Sequence, residues 1–251
     1  MSRVLNVVLA HQPPAEIARL AAWWGHVAAP DALLFVHGGP QADFPAIGVP
    51  NKIHVASARL RTVDHPRERQ SYTEVFAAVS EWMKGRDFTH VYLAEFDHLP
   101  LVADLGGRLL ARLAAEKADM LAHAVQRVDD TGRHHYLYHS NDPEFHRHWA
   151  RISRRADRRV VLSMLGTGSF WTREAFDAVA AEKEPFPIYL ELYLPTLAHH
   201  LGFRVRPLTS DGEPYVRNLG DFREKIRDAR LAGAWTVHPV KSLEGLRWGG
   251  E

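Results

Sequence analysis

The sequence predicts an α/β protein with a central mixed, mostly parallel sheet flanked by helices. Three observations carry that expectation. Short runs rich in branched apolar residues recur along the chain, uninterrupted in the manner of strands buried on both faces. Between them lie segments whose apolar residues follow helical spacing. The chain has 251 residues, 46% hydrophobic and 24% charged, which suits one sizeable core and is short for two.

Val4-Leu5-Asn6-Val7-Val8-Leu9 is the first such run. Pro13-Pro14 suits the first turn of the next helix, which places Ile17, Leu20, Ala21 and Trp24 on one face and ends near Gly25. Leu33-Leu34-Phe35-Val36, closed by Gly38-Gly39-Pro40, and Ile53-His54-Val55 read as two more strands. From Tyr72, the spacing of Val75, Phe76, Val79, Trp82 and Met83 predicts an amphipathic helix stopped by Gly85. Val91-Tyr92-Leu93-Ala94 follows as a buried strand that runs directly into Glu95-Phe96-Asp97. Leu105, Leu109 and Leu113 predict a helix, and Met120 to Val125 a strand. Residues from about 127 to 160, rich in His and Arg without a period-two pattern, read as an insertion or loop. Thr172 begins a helix after Phe170 and Trp171, and Leu190, Leu194, Leu197 and Leu201 form a stripe ending at Gly202, with Pro195 obscuring where that helix starts.

Thirty-one basic residues nearly cancel 30 acidic ones, so a formal charge of +1 excludes a whole-protein field for nucleic acid or membranes. No nucleic-acid partner is expected. The absence of cysteine excludes disulfides, thiolate metal sites and a cysteine nucleophile. His11-Gln12-Pro13-Pro14 interrupts the first apolar run before a signal-peptide core, and no stretch approaches the about 18 apolar residues of a membrane span. A cytoplasmic protein is the expectation. The phosphate loop, the dinucleotide glycine fingerprint and the serine nucleophile elbow are all missing.

In an extended segment Glu95 and Asp97 share a face. Two carboxylates about 5 Å apart at an effective dielectric of about 20 repel by about 3 kcal/mol. That cost favours a shared proton or a bound cation, and hard oxygen ligands suit Mg²⁺ or Mn²⁺. Ligands of open α/β sheets bind outside the carboxyl ends of strands, where this pair sits. The alternative is that one carboxylate caps the following turn while the other is solvated.

Taken in chain order, these segments resemble the GT-A glycosyltransferases over most of the sequence. Glu95-Phe96-Asp97 after a buried strand is similar to the family's Asp-x-Asp metal motif, with Glu in place of the first Asp. Gly166-Thr167-Gly168-Ser169-Phe170-Trp171 resembles its glycine-containing segment before a helix. Glu191-Leu192-Tyr193-Leu194-Pro195 resembles an acidic segment near the acceptor site, and Trp235-Thr236-Val237-His238-Pro239 the terminal segment that returns a histidine to the metal.

The resemblance implies a single GT-A-like (Rossmann-like) domain over 1–251, with a nucleotide-binding half, 1–125, and an acceptor-side half with the metal-return segment, 126–251. It implies a hexosyl- or related transferase that moves a sugar from a nucleoside-diphosphate sugar, a UDP-sugar being expected, to a saccharide, lipid or small-molecule hydroxyl. Asp97, Glu95 and His238 would hold Mn²⁺ or Mg²⁺. Glu95, Asp97 and Gly168 would contact the nucleotide, and Glu95 would ligate the metal or meet the ribose. Glu191 is the candidate general base; at a helix start its charge also complements the macrodipole. His238 has the alternative of a structural hydrogen bond, Gly166 and Gly168 that of a simple turn, and Trp171 that of a core residue rather than a sugar platform.

Arg151, Arg154, Arg155, Arg158 and Arg159 would share a basic face if their segment is helical, suited to engaging a peripheral anionic surface through Arg151–Arg159 or simply solvated. Two other functions compete. One is a metal-dependent hydrolase using Asp97, His98, His146 and His148; the other is a non-catalytic binding protein on the same scaffold. His134, His135, His139, His146 and His148 lack a recognised ligand spacing and otherwise read as loop residues.

Overall fold

The computed structural model describes residues 3–56, 72–130, 134–208, 212–218 and 220–243, and for His134 the backbone alone. A seven-stranded sheet runs through the middle in the order β3-β2-β1-β4-β7-β6-β8. Its strands are β1 (Val4–Ala10), β2 (Ala32–His37), β3 (Lys52–His54), β4 (His90–Glu95), β6 (Met120–Arg127), β7 (Leu162–Thr172) and β8 (Val205–Pro207). β7 alone runs against its two neighbours, β4 and β6; every other pairing is parallel. The sheet is thus mixed and mostly parallel, as expected.

The uninterrupted apolar character of β1 and β4 follows from burial on both sides. Leu5, Val7, Val91 and Leu93 join one core, and Val4, Val8, Tyr92 and Ala94 join the other. Helices α2 (Thr73–Trp82), α4 (Pro143–Ile152), α5 (Arg173–Ala180) and α6 (Leu190–His200) cover the first face. Phe76 of α2 and Phe176 of α5, both fully buried, stack at 4.2 Å there, each contributing about 1.5–3 kcal/mol by burial. Helices α1 (Pro14–Val27), α3 (Leu105–Ala115) and α7 (Phe222–Leu231) cover the second.

A small three-stranded sheet, β5 (Leu99–Pro100), β10 (Thr236–His238) and β9 (Tyr215–Val216) in that order, lies just past the carboxyl end of β4. The Trp23 indole of α1 donates to the Pro100 carbonyl at 2.8 Å and ties this sheet to the second face.

Two expectations are corrected. Residues 127 to 160 are not merely a loop, because α4 lies within them: Asp142 caps it by accepting from the Glu144 amide at 2.9 Å, Pro143 takes its first turn, and Phe145, His148 and Trp149 are buried. The arginines form no common helical face either, because α4 ends at Ile152 with Ser153 extended. Arg155 instead reaches the carbonyls of His199 in the last turn of α6 and of Phe203 just beyond it, at 3.1 and 2.9 Å, and Arg151 pairs with Glu184 at 2.9 Å. Among the described residues, no helix is long and apolar enough to cross a membrane.

Candidate functional site

β4 ends at Glu95, and the chain turns at once, the His98 amide donating to the Glu95 carbonyl at 3.1 Å. Glu95 and Asp97 therefore do not alternate along one extended face as the sequence suggested. The turn sends them to different neighbourhoods.

Asp97 goes inward and is fully buried. Its main-chain carbonyl accepts from the Val240 amide at 2.8 Å, while β5 pairs antiparallel with β10, setting Leu99 opposite Val237. This pairing carries the segment after Trp235 back over the turn. It places His238 Nδ1 3.3 Å from Asp97 Oδ1, and the Lys241 ammonium against Asp97 Oδ2. Asp97 Oδ1 and His238 Nδ1 are buried and neither makes a hydrogen bond of acceptable geometry. Burial by itself pushes the Asp97 carboxyl up, but His238 and Lys241 beside it outweigh that, and the net direction is down.

Behind them lies His98, almost wholly buried, sharing a 2.6 Å hydrogen bond through Nε2 with the Tyr92 hydroxyl. Burial, with nearby His238 adding to it, drops its imidazole to about 3, so His98 is neutral at physiological pH. Gly168 of β7 abuts this pair: a Cβ there would stand 2.9 Å from Tyr92 Oη and 3.1 Å from His98 Nε2. The glycine thus has a packing reason of its own.

Glu95 faces the other way, into a crevice lined by Leu9, Tyr72, Gly166, Gly168 and Leu190. Its Oε1 accepts from the Tyr72 hydroxyl at 3.3 Å. Burial, then the charge of Asp97, push its carboxyl up to about 8, against the smaller opposing effect of Tyr72. The acidic pair accordingly splits, with Asp97 ionised and Glu95 mostly protonated at neutral pH.

Glu191, buried in the first turn of α6, accepts from the amide of crevice-lining Gly166 through Oε1 at 2.7 Å, and its Oε2 lies 3.6 Å from His135 Nε2. A Cβ on Gly166 would stand 3.3 Å from that same Oε1, so the glycine permits the contact. Pro195, inside α6, cannot donate to the Glu191 carbonyl one turn earlier, which relaxes the helix beside the site. Trp171 is fully buried against Phe76 and Phe176 and belongs to the core.

The structure therefore brings Asp97 to His238, and Glu95 to the Glu191 side of the turn. Among the described residues no group of three or more His, Cys, Asp or Glu side chains is arranged to hold a metal. The hydrolase constellation is not assembled. His146 Nε2 meets the Ser140 carbonyl at 2.9 Å, and His148 is buried among Trp149, Phe186 and Tyr193. Sequence reasoning missed Lys241, Tyr72 and the His135 contact to Glu191. Lys241 lies only three residues beyond His238 in the segment already singled out, and that proximity was the one available signal.

No family model matches this chain, and no curated protein matches it. Among solved structures, a mannosyltransferase from Pyrobaculum calidifontis in complex with GDP-Man and Mn²⁺ is similar at 12% identity, over 82% of this chain and 54% of that one, with a TM-score of 0.48. The bifunctional IspDF from Campylobacter jejuni is similar at 9% identity, over 82% and 49%, with a TM-score of 0.41. The chain spans about half the length of these structures. Likenesses this distant carry no argument, and function has to be read from the chain's own geometry.

Proposed function

We propose that this protein is a GT-A-like glycosyltransferase that moves a sugar from a nucleoside-diphosphate sugar to an acceptor hydroxyl, with a divalent cation at Asp97 and His238. The observation that carries this reading is the meeting of Asp97 Oδ1 and His238 Nδ1, buried, 3.3 Å apart and without hydrogen-bond partners, at the carboxyl end of a central strand. A carboxylate oxygen and an imidazole nitrogen fit Mn²⁺, and Mg²⁺ less well. Bound there, the ion would neutralise the diphosphate leaving group.

The remaining roles belong to the chain. Glu95, facing the crevice beside Tyr72, is placed to hydrogen-bond a ribose or sugar hydroxyl. Glu191, its Oε1 fixed by the Gly166 amide, takes the acceptor's proton as the acceptor oxygen bonds to the anomeric carbon and the bond to diphosphate breaks. Glu191 holds Gly166, which lines the crevice that Glu95 faces, and its charge acts on Glu95, which supports a base close to the donor.

Thermal unfolding with UDP or GDP tests the reading. Nucleotide plus Mn²⁺ should stabilise the protein, by about 2.7 kcal/mol at one hundred times the dissociation constant. Asp97→Ala should abolish the gain and Glu191→Gln should keep it. Equal stabilisation of wild type and Asp97→Ala would refute the cation site.

A further inference from the structure

Asp97 is fully buried, yet the cation against its Oδ2 hangs from a side chain that is 69% exposed. A buried carboxylate requires a neutralising partner. Here the partner is an ammonium on a flexible four-carbon stem, 5.4 Å from the centre of the Phe96 ring. The backbone beneath it is anchored twice. The Val240 amide donates to the Asp97 carbonyl at 2.8 Å, and the buried Lys225 ammonium donates to the Pro239 carbonyl at 3.0 Å. A fixed main chain with a solvent-facing tip makes a counter-ion that can leave while its segment stays in place.

We infer that Lys241 is a tethered cation that neutralises Asp97 whenever no metal does, and that a divalent ion must displace it to reach the carboxylate. The inference rests on the reading of Asp97 as a metal ligand. The displaced ammonium then needs an anion, and the diphosphate of the donor supplies one within reach of the same segment. Cation and nucleotide consequently bind with positive coupling, each weak alone and tight together. Lys241 adds to the coupling that direct contact between cation and diphosphate supplies, by imposing on the cation an entry cost that the nucleotide relieves.

Titration calorimetry and the electron paramagnetic resonance of free Mn²⁺, on the whole chain with UDP and with GDP, measure the coupling directly. Wild type should bind Mn²⁺ about tenfold more tightly when nucleotide is present. In Lys241→Met, and in Lys241→Ala as a second neutral variant, Mn²⁺ alone should bind about tenfold more tightly than in wild type, and the gain on adding nucleotide should shrink to the part that direct contact between cation and diphosphate supplies. Lys241→Arg, which keeps the charge, should retain weak nucleotide-free binding. If wild type binds both ligands but the neutral variants leave Mn²⁺ affinity unchanged or lower it, the role of Lys241 is overturned and the cation site stands. If wild type binds neither Mn²⁺ nor nucleotide, both are overturned.

Discussion

Two carboxylates two positions apart are shifted in opposite directions because a turn separates their surroundings. Asp97 gains His238 and Lys241, whereas Glu95 gains burial, the field of Asp97 and a single tyrosine hydroxyl. The consequence for stability has a definite sign. Glu95 has an ordinary value of 4.5 and a folded value of about 8, so between those pH values the folded chain holds a proton that the unfolded chain has released. Its contribution to stability therefore falls as pH rises through that window. His98, held down at about 3, works the other way, its contribution falling as pH drops below 6.5. Above 6.5 the Glu95 effect stands clear of it. In metal-free buffer, the melting temperature of wild type should decline relative to Glu95→Gln between pH 6.5 and 8, and parallel curves would show that Glu95 ionises normally.

Among the elements, β7 shows what patterning conceals. The sequence marked Gly166 and Gly168 as a turn or a ligand contact, yet both lie inside an eleven-residue strand that opposes its neighbours. Glycines break the apolar run that made β1 and β4 legible, and an antiparallel partner leaves no mark in the β/α alternation. Gly168 lies opposite Ala94, tight against the Tyr92–His98 pair. Gly168→Ala should cost about 1–3 kcal/mol in chemical denaturation, since the atoms it meets are buried and hydrogen-bonded to each other; a cost under about 0.5 kcal/mol would mean that the pair yields. The helices with a clean apolar stripe, α2 and α3, were legible, as was the Thr172 cap, whose Oγ1 accepts from the Ala175 amide at 3.2 Å. α4 was not, because histidines and arginines crowd its exposed faces and only Phe145 and Trp149 signal the buried one. At the site, His238 was legible by resemblance, but the separation of Glu95 from Asp97 depends on a turn that strand alternation cannot anticipate.

The whole molecule is a sheet between two helical layers, with the small sheet fastened past one end. β1 and β4 pair on both sides and are buried on both faces, while β10 has three residues and only short partners, two of them paired to β5. Hydrogen exchange should reflect this contrast. The amides of 236–238 should exchange faster than those of β1 in the ligand-free protein and slow when Mn²⁺ and nucleotide are added together, leaving β1 unchanged. Slowing that is uniform over both sheets would mean that the ligands bind elsewhere. The β5–β10 pairing also sets an order of events during folding. The contact between Asp97 and Lys241 closes 144 residues of chain. Loop entropy makes so long a closure only slightly less favourable at equilibrium than a shorter one, but pairings distant in sequence form after local ones. A molecule still acquiring its structure therefore has not yet brought Asp97 to His238 and Lys241, and under the proposed function it would gain binding competence only when the final strand docks.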